Sequence, residues 1–117
     1  MKVLLYLLPL VLVSCNKDCV EKSNISFAKD IQPRFTQSCA LAGCHSHNDK
    51  ASALDLSEVN AYVSLKQEGL TDSLQAERSM LYVRMNDKKN PMPPSGKLSK
   101  CDIMLVLQWV REGTKNN

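Results

Sequence analysis

Two cysteines and two histidines lie within nine residues in the stretch CALAGCHSH, from Cys39 to His47. Thiol and imidazole groups at such spacing bind a metal ion or hold a prosthetic group covalently. The signature for covalent c-type haem is C-x-x-C-H, whereas four residues separate Cys39 from Cys44 here. His45 follows the second cysteine directly, as an iron ligand from this segment must, and the small insertion with Gly43 can bulge outward. The spacing therefore predicts haem attached to both cysteines and ligated by His45.

The same side chains leave two other interpretations open. Cys39, Cys44, His45 and His47 supply the four nitrogen and sulfur ligands of a structural zinc site, although four ligands in so short a segment would strain a tetrahedral geometry. The second alternative interpretation is a disulfide between Cys39 and Cys44 without a metal. If haem is bound, we expect His47 to be exposed to solvent, because one short segment cannot easily reach both faces of the ring.

The N-terminus has the pattern of a lipoprotein signal peptide. Lys2 precedes an apolar run from 3 to 13, which is shorter than the roughly 20 residues that cross a bilayer and has the size of a signal-peptide core. Residues 12–15, LVSC, resemble a bacterial lipobox, whose cysteine becomes the acylated first residue. We predict a signal peptide at 1–14, a lipid on Cys15, a polar tether at 15–24 and one folded domain at 25–117.

The protein would then be exported and lipid-anchored to a bacterial membrane, facing the periplasm or at the outer membrane or cell surface. An ordinary secretory signal followed by an unrelated cysteine is the alternative.

Size and composition favour a domain that needs stabilisation beyond its hydrophobic core. The chain has 117 residues and is only 5% aromatic, which is little for the core of a small domain. A prosthetic group, a metal or a disulfide would supply the missing stability. The net charge of +3 is a weak excess that we interpret as evenly scattered, so it indicates no particular partner and argues against nucleic acid.

Apolar side chains recur at helical spacing, and no segment has the alternation of a strand, so we predict an all-α domain. Phe27, Ile31 and Phe35 share one face of a first helix that Ser26 can cap. Pro33 implies either that this helix starts near residue 30, with the proline in its first turn, or that it starts near residue 27 and is kinked.

Further helices are predicted along the rest of the chain. A short one follows Ser57 as N-cap, with Val59, Val63 and Leu65 on its inner face, and ends near Gly69. Another follows Ser79 with its inner face undecided. A stiff proline-rich loop, NPMPPSGK, comes next. The last helix begins at a capping pair, Ser99 with Asp102. It has four apolar positions at helical spacing and a closing glycine: Ile103, Val106, Leu107, Val110 and Gly113.

Four stretches together resemble the small cytochrome c domains of bacterial lipoproteins that are common in Bacteroidetes and Planctomycetes. They are ISFAKDIQPRF leading into CALAGCH, LDLS at 54–57, PMPPSGKLS at 91–99, and the ending CDIMLVLQWVREGTKNN. The C-x4-C-H spacing is a variant within that family. The resemblance implies a class I cytochrome c-like fold, all-α, with crossing N- and C-terminal helices and with short helices and long loops around one covalent haem.

The resemblance also implies site residues. Met92 is the distal iron ligand, opposite His45, because it occupies the Met-Pro-Pro position of the family. Cys19 and Cys101 form a disulfide, since relatives carry cysteines at both places; two unpaired cysteines are the alternative. Trp109 packs against the first helix.

The function implied is single-electron transfer by a membrane-anchored carrier that is not an enzyme. Redox partner proteins would dock at the haem edge near 39–47. One alternative is a peroxidase or a sensor with an open iron position, for which Arg84 is the best distal residue we find. Met80 and Met85 are rival iron ligands, although both fit core packing better.

Overall fold

The computed structural model describes Cys19 and residues 21–117, which form four α-helices and three shorter helical turns. The helices are α1, Gln32–Ser38; α2, Ala61–Gln67; α3, Met80–Asn86; and α4, Lys100–Arg111. A π-helical turn, Phe27–Ile31, runs into α1, and 3-10 turns lie at Ala51–Ala53 and Ala76–Arg78. This part of the chain contains no β-strand, which confirms the all-α class.

The first helical segment reconciles the two predictions made for Pro33. Helical backbone begins at Phe27, where the Ser26 side chain accepts a hydrogen bond from the backbone N–H of Lys29. Pro33 nevertheless lies in the first turn of α1. A proline inside an α-helix lacks the N–H for the helical hydrogen bond, and its ring would clash with the carbonyl four residues before it. The π-helical turn at 27–31 has a wider backbone just before Pro33 and so accommodates the ring.

The last helix has the predicted start and the predicted inner face. The Ser99 side chain accepts a hydrogen bond from the Asp102 backbone N–H at 3.1 Å. Gly113 follows the helix with a positive φ of 96°, the left-handed conformation that ends many helices. All four predicted apolar positions are buried, together with Trp109.

The two ends of the domain pack on each other. Trp109 is 1% exposed, and its ring centroid lies 5.2 Å from that of Phe27; such an aromatic pair contributes about 1 kcal/mol beyond its buried area. Arg34 and Asp102 form an ion pair between α1 and α4 at 3.0 Å. The predicted contact of Trp109 with the first helical segment is confirmed.

Helix α2 differs from the prediction. It begins at Ala61, after Asn60, rather than directly after Ser57. Val59 and Val63 are 88% and 52% exposed, so these two positions of the predicted inner face are wrong, whereas Leu65 is buried as predicted. The cause is local: the Ser57 hydroxyl donates to the Asp55 carboxylate and does not cap the helix. In α2 and in α3 the residues that face the core are Ala61, Ser64, Leu65, Leu81 and Met85.

The segment before the first helical turn is fastened to α4. Cys19 and Cys101 are joined by a disulfide, with their Cα atoms 5.1 Å apart. The backbone N–H groups of Asn24 and Ile25 donate to the Glu112 carboxylate at 3.2 and 2.9 Å. Residues 21–24, part of the predicted tether, therefore lie along the folded domain.

The predicted signal peptide at 1–14 and the lipidation site Cys15 lie outside the described residues. Among the helices of the described part, none is both long and apolar enough to span a bilayer.

Candidate functional site

Residues from two distant segments meet around one cavity of about 120 Å³. Its lining includes Cys39, Cys44 and His45 and also Met92, which lies 47 positions further along the chain than His45. Its remaining lining is small or apolar: Ser38, Gly43, Ala51, Pro93 and Pro94. The fold thus brings together all four residues of the predicted haem site.

The four residues between the cysteines, two more than in C-x-x-C-H, form an outward loop. The backbone N–H of His45 donates to the carbonyl oxygen of Cys39 at 3.1 Å. Within the loop Gly43 has a φ of +75°, a conformation that favours glycine, and its N–H donates to the Asp49 carboxylate at 2.9 Å. Leu41 is 46% exposed at the outside of the loop. The extra residues therefore leave Cys39 and Cys44 on the same cavity.

The two thiols are unbonded and partly buried. Both Cys39 and Cys44 are free cysteines, so the structure does not have the alternative disulfide between them. Burial, with a smaller contribution from the neighbouring Cys44, raises the pKa of the Cys39 thiol to about 11. With no metal bound, Cys39 is therefore protonated at neutral pH.

His45 is oriented by a backbone carbonyl. Its Nδ1 lies 3.3 Å from the carbonyl oxygen of Leu54, so a proton on Nδ1 is shared with that oxygen. Metal-binding histidines usually donate their second ring N–H in this way, which fixes the ring and leaves the other nitrogen for the metal. Nε2 of His45 is therefore the nitrogen available to a ligand.

Met92 is held by the end of α3. Its backbone N–H donates to the carbonyl oxygen of Arg84 at 2.9 Å, and Lys97 Nζ donates to the carbonyl oxygen of Asn86 at 2.7 Å. The Asp87 carboxylate accepts two further backbone N–H groups of the loop at 2.8 and 2.9 Å. These bonds and the flanking prolines restrict the loop, so the partly buried thioether stays beside the cavity.

The other candidates lie elsewhere. His47 is 63% exposed and pairs with the Asp55 carboxylate at 2.8 Å, so it is not beside the cysteines as a zinc site would require. Across Cys19 and residues 21–117, no group of three metal-binding side chains is found. Arg84 does not line the cavity and faces Asp87 at 3.8 Å. Of the rival methionines, Met80 is 50% exposed and Met85 is 3% exposed in the core.

The donor set of the cavity fits a c-type haem. Two unbonded thiols are present for the vinyl groups, and an imidazole with a bonded Nδ1 and a thioether are present for the iron. His and Met are the axial ligands of many cytochromes c. The cavity is smaller than a porphyrin, so the ring would extend beyond it toward solvent.

Two features of the site escaped the sequence interpretation. Residues 84–100, which include Met92, carry five basic side chains and one acidic one, whereas the other described residues carry eight basic and ten acidic ones. The interpretation of an evenly scattered charge is therefore wrong, and counting charges by segment would have found it. The second feature is the contact of the Leu54 carbonyl oxygen with His45, which no spacing rule predicts.

Comparisons of the chain with protein-family models, with curated proteins and with solved structures found no match. The chemistry of its own residues is therefore what supports a function.

Proposed function

We propose that this chain is a membrane-anchored c-type cytochrome that transfers single electrons. One haem would be attached to Cys39 and Cys44 and ligated by His45 and Met92, in a class I cytochrome c-like domain. The single observation that carries the proposal is the cavity on which these four side chains converge. The Nδ1 contact of His45 with Leu54 supports it independently, because it prepares the ring for a metal.

A haem bound here supplies an iron that takes up and gives off one electron. Leu54 holds the ring of His45, and the loop tied to Arg84 holds Met92, so both ligands are positioned before the iron changes its charge. A thioether ligand raises the reduction potential. If His45 and Met92 both bind the iron, no open position would remain for a substrate, which supports a carrier rather than an enzyme.

Neither alternative gains support from the described residues. An open-iron peroxidase or sensor needs a distal acid–base group beside the iron, and Arg84 lies at Asp87 instead. A structural zinc site needs His47 beside the cysteines, and His47 lies at Asp55.

The partners that we propose are other redox proteins. The basic side chains of residues 84–100 surround the segment of Met92, and such a concentration of charge attracts acidic surfaces and accelerates their association. Docking would use this segment together with the edge formed by 39–47. The lipid on Cys15 would keep the carrier at the membrane surface, where its encounters with partners are confined to two dimensions.

A redox titration of the detergent-extracted full-length protein, followed by absorption and by carbon monoxide binding, tests this function. We expect a reversible one-electron couple and a ferrous form that does not bind carbon monoxide. Met92→Ala is the matched control, because it opens one axial position and should bind the gas. Ready binding of carbon monoxide by the unaltered protein would contradict the proposed electron carrier and favour a sensor or an enzyme with an open iron position.

A further inference from the structure

The segment 54–57, LDLS, runs beside the segment of the predicted iron ligand and is bonded to it on both sides of Asp55. Before Asp55, the Leu54 carbonyl oxygen lies 3.3 Å from Nδ1 of His45. After Asp55, the backbone N–H of Leu56 donates to the carbonyl oxygen of His45 at 2.8 Å. The side chain and the main chain of His45 therefore both depend on where this segment lies.

Asp55 is the most strongly held residue of that segment. Its side chain is 8% exposed. Its carboxylate accepts hydrogen bonds from the Ser57 backbone N–H at 3.0 Å and the Ser57 hydroxyl, from Asn60 Nδ2 at 2.9 Å and from His47 Nδ1 at 2.8 Å. Its own backbone N–H donates to Ser64 Oγ at 3.0 Å. Five hydrogen bonds thus hold this one residue, two of them to Asn60 and Ser64 at the start of α2 and three to Ser57 and His47.

The charge of Asp55 is maintained by these partners. Burial alone would raise the pKa of this carboxyl, but the hydrogen bonds from Ser57, His47 and Asn60 outweigh it and hold the pKa well below its ordinary value. A buried carboxylate is costly unless it is fully hydrogen-bonded, and removing one partner leaves the others unsatisfied. The group is therefore a rigid anchor rather than an adaptable surface charge.

We propose that Asp55 is a positioning residue for the iron ligand: it fixes Leu54, and through the Leu54 carbonyl oxygen it sets the ring orientation and the protonated nitrogen of His45. This inference deepens the proposed function and rests on it. Asp55 touches neither the cavity nor any iron ligand, so its effect passes through the backbone of the neighbouring residue.

The direction of the effect follows from the chemistry of the ligand. An Nδ1–H bonded to a carbonyl makes imidazole a stronger electron donor, which favours ferric iron. Loosening Leu54 weakens that bond and favours ferrous iron, so the reduction potential rises. Loss of the Asp55 charge acts in the same direction, and the two contributions must be separated.

The experiment compares three variants of the haem-loaded full-length protein. Asp55→Asn removes the charge and weakens the anchor. Glu58→Gln removes an equal charge three residues away, from an exposed carboxylate that bonds to no described side chain. Ser64→Ala keeps every charge but removes the acceptor for the Asp55 backbone N–H. Each is measured for reduction potential, for the NMR signal of the His45 Nδ1 proton and for thermal stability.

We expect Asp55→Asn and Ser64→Ala both to raise the equilibrium constant for reduction by up to about tenfold, equivalent to about 59 mV for a one-electron couple. Both should also accelerate solvent exchange of the His45 Nδ1 proton, and Glu58→Gln should do neither. A shift in Asp55→Asn alone, with no change in Ser64→Ala, would mean that only charge acts and would overturn the positioning role. An unchanged potential and exchange rate in both would also overturn it.

If Asp55→Asn fails to fold, the Ser64→Ala variant alone tests the positioning role, since it removes only one hydroxyl group from α2. The results distinguish failure of the two proposals. Absence of covalent haem from the unaltered protein would contradict the proposed function. Covalent haem with the same reduction potential in the unaltered protein and in both variants would contradict only the role of Asp55.

Discussion

The backbone N–H of Met92 donates a hydrogen bond to the carbonyl oxygen of Arg84 at 2.9 Å, which ties the proline-rich loop to the last turn of α3. It acts together with the bonds of Lys97 and Asp87 and with the fixed φ of the prolines to restrain the loop. The bond explains how a side chain so distant in sequence comes to share a cavity with Cys39, Cys44 and His45.

Replacement of Met92 should therefore lower the reduction potential of the haem-loaded protein. Met92→Ala removes the thioether that stabilises the ferrous state, and we expect a fall of more than about 59 mV, a tenfold change in the equilibrium constant. Met80→Ala is the matched control, because Met80 is 50% exposed and lies outside the cavity. Equal potentials in Met92→Ala and the unaltered protein, by spectroelectrochemical titration, would remove Met92 from the iron.

Loss of the disulfide should destabilise the domain without removing the haem site. Cys19 and Cys101 are separated by 82 positions, and cross-linking a loop of this size is worth about 4 kcal/mol by the chain-entropy estimate. The double variant Cys19→Ser, Cys101→Ser should lower the free energy of unfolding in guanidinium by that order. A difference below about 1 kcal/mol, or two alkylatable thiols in the denatured, unreduced mature protein, would contradict the pairing.

Acid should weaken the attachment of the N-terminal segment to α4. The backbone N–H of Ile25 above all, with help from Gln108 and Asn24 and against a smaller effect of burial, lowers the pKa of Glu112 below its ordinary value of 4.5. Because the pKa is lower in the folded state, this contribution is fully present above pH 4.5 and disappears as the pH falls through the folded value.

Glu112→Gln should accordingly lower stability at pH 7 by about 1 kcal/mol and converge on the unaltered protein in acid. Chemical unfolding at a series of pH values measures both. The control is Glu68→Gln, an exposed carboxylate near the end of α2. A constant difference between Glu112→Gln and the unaltered protein down to pH 2 would show that the carboxylate charge contributes nothing.

The basic segment should govern reaction with anionic oxidants. Stopped-flow oxidation of the ferrous protein by hexacyanoferrate(III) at low salt should be slowed about threefold to tenfold by the double variant Lys88→Glu, Lys89→Glu. High salt should abolish the difference, since the Debye length shrinks to about 3 Å at 1 M. Lys29→Glu with Lys115→Glu is the charge-matched control outside 84–100. Equal slowing by both pairs would mean that only net charge acts.

Sequence patterns predicted the terminal elements well and the middle of the chain poorly. Ser26 and Ser99 cap as predicted, because a capping bond involves only residues three apart. Ser57 fails as a cap because its hydroxyl bonds to Asp55, a competition that spacing does not reveal. The resulting shift of α2 exposes Val59 and Val63.

The residues of the candidate site likewise include some that the sequence predicted and one that it did not. Adjacent residues such as Cys44 and His45 are visible as a motif. Met92 was predicted from a resemblance to a family, together with the suitability of a thioether in a stiff proline-rich loop as an iron ligand. The Leu54 carbonyl, by contrast, is a backbone group without a sequence signature. Its contact with His45 exists only because the two segments fold beside each other.

Mass spectrometry of the peptide that contains residues 39–47 shows whether this segment carries haem. The full-length chain is produced together with a cytochrome c maturation system, extracted with acidic acetone and digested. The mass of the peptide that contains residues 39–47 is then measured. We predict that the haem resists extraction and that the peptide mass includes one haem bonded to both Cys39 and Cys44. Cys44→Ser should lose at least one of those bonds. A peptide with two unmodified thiols and no haem would contradict the account.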